Sequence, residues 1–331
     1  MDEPDASDLT ASPERLRRLA AAGYLSAEAL ERGLDLAGYV PDRSAWRWLL
    51  DRLLLVVGVV LLLAGIVFFF AYNWDDLGRF TRFGLIMGGI LAAVVAAWRF
   101  GLDTGPGQVA LLVAAVLPGP LLAVYGQVYQ TGADPYGLFG TWALLVAGWV
   151  FISRSAWLWI GWLALLDVTL VLYWLQVPGP EAAGGVGLWL VLAGFHALAL
   201  AAWEVGAARG VIWLRRRWAP RLIATVLLCC VTVPVVLLIF APSEERWSHP
   251  MHLVAVPIYA GVVGGALWWY RRLPGDLFVM AAALLSGISV GTALAARLIG
   301  NWPGGRLLVA LVVIGLLYLA VTWLRRHPPT R

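Results

Sequence analysis

Residues 221–241 read RLIATVLLCCVTVPVVLLIFA, and the only charged residue in this stretch is Arg221 at its start. About 20 consecutive apolar residues in a helix cross the roughly 30 Å hydrocarbon core of a bilayer. The stretch therefore predicts a membrane-spanning helix. Apolar runs of similar length recur along most of the chain, so the same interpretation extends to the whole protein.

The composition of the chain agrees with a membrane protein. Of its 331 residues, 61% are hydrophobic and 13% are charged, whereas a soluble domain is about half apolar and a quarter charged. All 24 basic residues are Arg, and the lack of Lys excludes Schiff-base chemistry and a phosphate-loop Lys. Cys229 and Cys230, the only cysteines, are adjacent, which excludes a disulfide framework and a Cys-based zinc site.

The apolar runs predict an all-α polytopic bundle of about ten transmembrane helices. The predicted spans are 53–72, 83–98, 108–128, 137–152, 156–175, 185–205, 221–241, 251–269, 277–298 and 307–324. We divide the chain into a disordered acidic tail (1–12), a small helical hairpin with an interfacial helix (13–48), the bundle (49–326) and a short C-terminal tail (327–331).

The N-terminal hairpin is predicted from its helix caps. Helical periodicity begins at Pro13 and is interrupted by Gly23, and Ser26 can cap a second helix that reaches Leu36. Two interpretations stay open: the hairpin is a docking or self-association module, or it is an interfacial lead-in to the first span.

The distribution of arginine predicts the orientation. With a cytoplasmic N-terminus, 19 of the 24 arginines fall in cytoplasmic segments, which is the bias of the positive-inside rule. We therefore expect both termini in the cytoplasm. The run Arg215–Arg217 is predicted to fix the topology and to touch anionic lipid, and we expect no nucleic-acid partner. A membrane or cytoplasmic protein partner stays open.

Two clusters of polar residues stand beside apolar runs. Their members are Asn73, Trp74 and Asp75 in the first cluster, and Tyr125, Gln127, Tyr129, Gln130 and Asp134 in the second. Together with the Gly-Tyr-Leu-Ser turn of the hairpin, these motifs resemble an uncharacterised bacterial membrane-protein family, domain of unknown function 2157. The resemblance covers roughly residues 16–175. It implies a polytopic inner-membrane protein with a short cytoplasmic N-terminal segment and no established activity.

Both polar clusters lie on the outer side of the membrane in the predicted topology. Pro118, Gly119 and Pro120 interrupt the third span just before the second cluster, and proline leaves backbone carbonyls without their helical donors. One hypothesis is that this broken helix and the two clusters line a polar vestibule. The alternative is an ordinary kink followed by interfacial anchors.

The number of spans suggests a repeat of five plus five. A repeat of five spans is inverted in the membrane, so the third and eighth spans would correspond, and each contains a proline interruption (Pro118 and Pro120; Pro257). Paired broken helices of this kind point to transporter sites. A second scheme, which pairs Asn73 with Asn301 at the outer ends of the first and ninth spans, conflicts with the first.

Two ionisable residues fall near the middle of consecutive, oppositely directed spans. Asp167 and His196 should differ in depth by only about 3–5 Å, at 1.5 Å per residue. An unpaired Asp in mid-membrane costs about 2.5–3.5 kcal/mol, so it should find a hydrogen-bond donor. We predict that the two residues are partners. The alternative is that each bonds separately to a carbonyl, a Tyr or a water.

The remaining motifs do not indicate an enzyme. Gly287–Gly291 has the letters of a nucleophile elbow but lies inside an apolar span, where it indicates a small-residue helix contact. The outer loop from Glu244 to His252 lacks the spacing of a zinc-binding helix. We therefore expect no catalytic residue, metal or cofactor. The leading hypothesis is a protein that moves or senses a small solute or a proton, and the competing one is a scaffold or regulatory anchor that acts through its N-terminal segment.

Overall fold

The computed structural model describes residues 12–36, part of 46–72, 77–130, 132, 134–180, 182, 185–242, 249–272 and 276–326. The predicted tails, most of the interfacial helix and the predicted first span (53–72) lie largely or wholly outside these residues. The chain divides into two compact units, Met1–Gly78 and Arg79–Arg331.

The first unit contains the predicted hairpin. Helix α1 (Pro13–Ala21) begins after Ser12, whose side chain accepts a hydrogen bond from the Arg15 amide, and helix α2 (Ala27–Leu36) follows the turn. Gly23 has a φ of +81°, a conformation that favours glycine and ends α1. The Ser26 hydroxyl oxygen accepts a hydrogen bond from the Ala29 amide at 3.1 Å, so the predicted cap is confirmed.

The second unit is built from helices that match the other nine predicted spans. They are α3 (Arg79–Phe100), α4 (Gly105–Val116), α5 (Pro118–Tyr129), α6 (Pro135–Ser153), α7 (Ala156–Gln176), α8 (Gly187–Ala208), α9 (Trp218–Phe240), α10 (Pro250–Arg272), α11 (Leu277–Ile299) and α12 (Gly305–Arg326). A short 3-10 helix, Ile212–Arg215, precedes α9. Nine stretches of the described chain are long and apolar enough to cross a membrane, with α4 and α5 together forming one of them. The predicted polytopic helical bundle is confirmed.

The proline-rich interruption is a junction between two helices of one span. Leu117 separates α4 from α5 but keeps a right-handed helical backbone, with φ −62° and ψ −27°. The neighbouring helix closes over the junction: the Trp142 indole on α6 donates a hydrogen bond to the Ala115 carbonyl at 2.7 Å. Its ring also covers Gly119. The junction is therefore filled by a side chain, as expected where a freed carbonyl needs a new donor.

We predict that Gly119→Ala destabilises the bundle by about 1–3 kcal/mol, because the added methyl would overpack this contact. An alanine Cβ at position 119 would lie 2.5–2.7 Å from ring atoms of Trp142, and the indole hydrogen bond restrains the ring. Gly148→Ala is the matched control, since a Cβ there meets nothing within 4 Å. Thermal unfolding in detergent measures both. Equal stabilities of the two variants would contradict the packing described here.

The helices of the second unit pack as two halves. Helices α3–α7 pack on one another, and so do α8–α12, with α9 against α8, α10 and α11. The main backbone contact between the halves is between α7 and α8, and it is much smaller than the contacts of α7 with α6 or of α8 with α9. The boundary therefore falls between the fifth and sixth predicted spans, where the five-plus-five hypothesis divides the chain.

Candidate functional site

The strongest candidate site is the predicted pair of Asp167 on α7 and His196 on α8. The His196 Nε2 atom lies 3.3 Å from the Asp167 Oδ2 atom, and the two side chains are 4% and 28% exposed. The predicted contact between them is therefore present. Each residue lies about 17–18 Å along its helix from the predicted cytoplasmic end, at 1.5 Å per residue, so the pair is near mid-membrane.

A backbone carbonyl fixes the tautomer of His196. Its Nδ1 atom lies 3.0 Å from the Leu192 carbonyl oxygen, which can only accept a hydrogen bond, so Nδ1 carries a hydrogen. In a neutral imidazole the Nε2 atom is then an acceptor, and it faces an oxygen of Asp167. The contact is attractive only when one more proton lies between the two atoms, either on Nε2 or on the carboxyl group. The geometry therefore fits a pair that binds one proton, shared between Nε2 of His196 and the carboxyl group of Asp167.

The surroundings of the pair are apolar. Leu192 packs with Ala193 on α8 and with Leu227, Cys230 and Val231 on α9 to form a buried cluster. The second carboxyl oxygen of Asp167, Oδ1, is buried and has no hydrogen-bond partner among the described residues. A buried polar atom without a partner is costly. Oδ1 is therefore available to a proton or to a hydrogen-bond donor that enters the bundle.

The pair joins the two halves of the bundle, because α7 belongs to the first half and α8 to the second. Side chains of the two halves also meet along the same boundary, closer to the predicted cytoplasmic end. The rings of Trp157 on α7 and Trp218 on α9 have centroids 4.3 Å apart, and those of Trp159 and Trp213 lie 6.1 Å apart. The boundary thus has an aromatic contact at one end and an ionisable contact in the middle.

A chain of hydroxyl groups, which sequence analysis did not single out, links three helices of the second half. The hydroxyl oxygens of Thr232 on α9 and Ser286 on α11 lie 2.6 Å apart. The Ser286 hydroxyl also donates to the Tyr259 hydroxyl on α10, at 3.3 Å. Such interhelical hydrogen bonds stabilise packing in lipid. Tyr259 also packs against the apolar cluster around Cys230.

An ion-pair cluster at the predicted cytoplasmic end of the second half was not predicted from the sequence. It contains Glu204, Arg217, Arg221, Tyr270 and Asp276. Arg217 donates to Glu204 at 3.0 Å and to Asp276 at 3.1 Å, and Arg221 donates to Asp276 at 3.0 Å. The Tyr270 hydroxyl donates to Glu204 at 2.7 Å. The cluster therefore ties together α8, α9, α10 and the start of α11.

Charge pairing controls the ionisation of Asp276, which precedes α11. Burial alone would raise its pKa, but hydrogen bonds from Arg221 and Arg217, together with their charges, lower the pKa below its ordinary value. Burial likewise opposes the charge of Arg217, and the pairing with Glu204 and Asp276 outweighs it, so that its pKa is raised. Asp276 is thus a fixed negative charge at neutral pH. Of the run Arg215–Arg217, only the first two residues remain exposed at the surface.

The described residues of the second polar cluster are all exposed, whereas Pro118 and Gly119 of the predicted broken helix are buried. Tyr125 and Tyr129 pack ring to ring at 4.8 Å, and Gln130 takes a left-handed conformation at the end of α5. Asp134 precedes α6 without capping it. Gln127 also lies on α5. Asn73, Trp74 and Asp75 lie outside the described residues, so the vestibule stays a prediction.

The Gly287–Gly291 stretch lies inside α11. The Ser289 hydroxyl donates to the Leu285 carbonyl of its own helix, at 2.9 Å. Leu316 on α12 packs against Gly291 so closely that a Cβ there would lie 2.9 Å from its methyl group. These contacts agree with the small-residue helix contact that the sequence predicted.

Comparison with known protein families finds a match for part of the chain. A search of curated proteins and a search of solved structures both found no match to this chain. The family model described as "Predicted membrane protein (DUF2157)" matches residues 17–159, which confirms the predicted resemblance over a slightly shorter range. Asp167 and His196 lie beyond the matched segment. Over residues 17–159 this chain is therefore similar to a family of predicted membrane proteins.

Proposed function

We propose that this integral membrane protein moves or senses a proton or a small solute, and that Asp167 and His196 form its proton-binding element. The observation that supports the proposal is the 3.3 Å contact between the two side chains near mid-membrane. Ionisable residues at this depth are costly and mark proton or ion pathways in other membrane proteins. The proposal requires no covalent chemistry and no cofactor.

The contact also supplies a mechanism. When the shared proton leaves, Nε2 of His196 and the carboxylate of Asp167 become two facing acceptors, and their attraction turns into repulsion. Loss of the proton would therefore weaken the contact between α7 and α8, whose backbones touch only slightly. The buried cluster of Leu163, Trp203 and Ile223 would still join the two halves. Binding sites at the interface between two halves are common in transporters. Protonation would therefore set how closely the halves pack.

Proton movement across reconstituted vesicles tests the proposal. Purified protein is placed in liposomes that contain a pH-sensitive dye, and a potassium diffusion potential is applied. We expect wild-type protein to change the rate of internal acidification, and Asp167→Asn and His196→Gln to abolish that change. Asp35→Asn, which removes an exposed carboxylate on hairpin helix α2, should behave as wild type. Equal rates for wild-type and Asp167→Asn protein would rule out proton movement through this pair.

A scaffold role is the second candidate, and the hairpin favours it. Tyr24 in the turn and Leu36 at the end of α2 are 80% and 83% exposed. Exposed apolar side chains of this kind suit binding to another protein. If the protein is a scaffold, a variant without residues 1–40 should fail to complement a strain that lacks the protein. If that variant complements the strain and Asp167→Asn does not, the scaffold hypothesis fails.

We propose that both termini lie in the cytoplasm of a bacterial inner membrane, and reporter fusions test this orientation. Fusions after Arg154 and Arg272 should report the cytoplasm, and fusions after Asp134 and Glu181 should report the outside, because of the arginine bias. The loops at Arg154 and at 210–216 line one cleft, so these two loops lie on one side of the bundle. Labelling of the Arg215–Arg217 loop by an impermeant reagent from outside would contradict the orientation.

A further inference from the structure

A cleft opens at the end of the bundle where α7 and α9 begin. Its volume is 630 Å3, within the range of roughly 300–1,000 Å3 that is typical of small-molecule sites. Three connecting segments line it: the loop between α3 and α4, the loop between α6 and α7, and the segment from Gly210 to Trp218. Because the first two segments belong to one half of the bundle and the third to the other, the cleft lies across the boundary between the halves.

Two guanidinium groups line the cleft, those of Arg154 and Arg216. Both side chains are exposed, and neither forms an ion pair with a residue of the described chain. In this they differ from Arg217, which is held by Glu204 and Asp276. Unpaired arginines that face a common cleft favour an anion, and phosphate oxygens match the guanidinium fork.

The starts of two long helices contribute further positive potential. Ser155, Ala156 and Trp157 at the start of α7 line the cleft, as does Trp218, the first residue of α9. Neither α7 nor α9 has a side-chain cap at its N-terminus. The first amide groups of a helix have no partner within the helix, and they carry the positive end of its dipole. Together with the two arginines they suit an anionic group.

The rest of the cleft suits an organic substituent. The rings of Trp157 and Trp218 form a wall, with centroids 4.3 Å apart, and tryptophan is typical of the level of the lipid headgroups. Asp103, in the loop before α4, and Gln108, near the start of α4, also line the cleft, and the Gln108 side-chain oxygen lies 3.4 Å from the Ser155 hydroxyl. The Asp103 carboxylate repels an anion but accepts hydrogen bonds from hydroxyl or ammonium groups.

We propose that this cleft binds a phosphate ester whose organic part carries a hydroxyl or ammonium group. Arg154, Arg216 and the two helix N-termini bind the phosphate, the Trp157–Trp218 wall packs on the organic part, and Asp103 accepts its donor. The same chemistry occurs in the headgroup of an anionic phospholipid and in a soluble phosphate ester. The proposal does not rest on the role of Asp167 and His196.

Two probes distinguish these sources: phosphatidylglycerol and glycerol 3-phosphate. The detergent-purified full chain is examined by native mass spectrometry for bound phosphatidylglycerol, with phosphatidylcholine as the neutral reference. Thermal shift measures binding of glycerol 3-phosphate. The double variant Arg154→Asn and Arg216→Gln removes both guanidiniums, and Asn tolerates the left-handed backbone of Arg154, whose φ is 48°. The matched control is Arg99→Gln with Arg209→Gln, which removes two exposed arginines from the predicted cytoplasmic side.

We expect the cleft variant to lose affinity for at least one probe by about tenfold or more, and the control to keep it. Loss for the phospholipid alone identifies a lipid site, and loss for glycerol 3-phosphate alone identifies a soluble ligand. Loss of affinity for both probes supports a cleft that binds the phosphate group, whichever molecule carries it. Equal loss in the cleft variant and the control would show general attraction of anions and overturn the proposal. Absence of binding of either probe to the wild-type chain would overturn it as well.

Discussion

Asp276→Asn is expected to lower the free energy of unfolding of the bundle by about 3 kcal/mol. Breaking a buried ion pair by removing one partner costs about 3–5 kcal/mol, and the lower end applies here because Arg217 and Arg221 are 29% and 43% exposed. The Asp276 side chain itself is 2% exposed. Asparagine can still accept the hydrogen bond from the Phe278 amide, so the helix cap is kept. The substitution removes the charge and the acceptor of the hydrogen bonds from Arg217 and Arg221. Chemical or thermal unfolding in detergent measures the change.

Asp134→Asn is the matched control for this substitution. Asp134 also precedes a long helix, but it is exposed and does not cap α6. We expect its replacement to change stability by less than about 0.5 kcal/mol, as at most surface positions. If the two Asp→Asn variants are equally stable, the ion-pair cluster does not hold the second half together.

The same cluster predicts a dependence of stability on pH. The pKa of Asp276 is lower in the folded protein than its ordinary value of 3.8, so the unfolded state binds its proton first as the pH falls. The stabilisation by Asp276 is therefore fully present above pH 3.8 and is lost as the pH falls through the lower, folded-state pKa. Unfolding between pH 7 and pH 3 should show this loss in the wild type and less of it in Asp276→Asn. Identical pH profiles would contradict the lowered pKa.

Substitutions of Asp167 should separate proton binding from packing. Asp167→Asn should abolish binding of the shared proton but change stability by less than about 1 kcal/mol, because the asparagine amide can donate to Nε2 of His196. Asp167→Ala should cost about 1–3 kcal/mol, because it leaves the buried Nε2 atom without a partner. Potentiometric counting of bound protons and unfolding in detergent measure the two effects.

Two outcomes would contradict this view of the pair. The first is that Asp167→Asn binds as many protons as the wild type between pH 4 and pH 9. The second is that Asp167→Ala is as stable as Asp167→Asn, which would mean that Asp167 and His196 do not depend on each other. His196→Gln serves as the reciprocal variant, and it should also lose the shared proton.

The pairing of Asp167 with His196 could be predicted because depth along a transmembrane helix follows from counting residues. The ion-pair cluster could not be predicted in this way. Glu204 and Asp276 lie near the ends of spans, where charged residues are ordinary, and the bond from Arg217 to Asp276 joins residues 59 apart in sequence. Arg217 was interpreted as part of a topology signal, although its side chain turns inward. The only hint was an acidic residue, Glu204, inside a predicted span.

The spans themselves were predictable, because apolar length is a local property of the sequence. How the helices pair was not. Lipid is as apolar as a leucine side chain, so hydropathy does not tell which face of a transmembrane helix meets another helix. The contact of Trp142 with Gly119 and the Ala115 carbonyl illustrates this, since α4, α5 and α6 are equally apolar around their circumference. The division into two halves likewise rests on packing, and the sequence indicated it only through the five-plus-five repeat hypothesis.

Nitrogen NMR of His196 tests the central claim most directly, which is that Asp167 and His196 share one proton across the boundary between the two halves of the bundle. The protein is labelled with 15N-histidine in bilayers, and the His196 signals are assigned by comparison with His196→Gln, since the chain has four histidines. We expect Nδ1 to stay protonated at every pH, and Nε2 to report the gain or loss of a single proton that disappears in Asp167→Asn. An unprotonated Nδ1, or an Nε2 signal that is the same with Asp or Asn at position 167, would contradict the account.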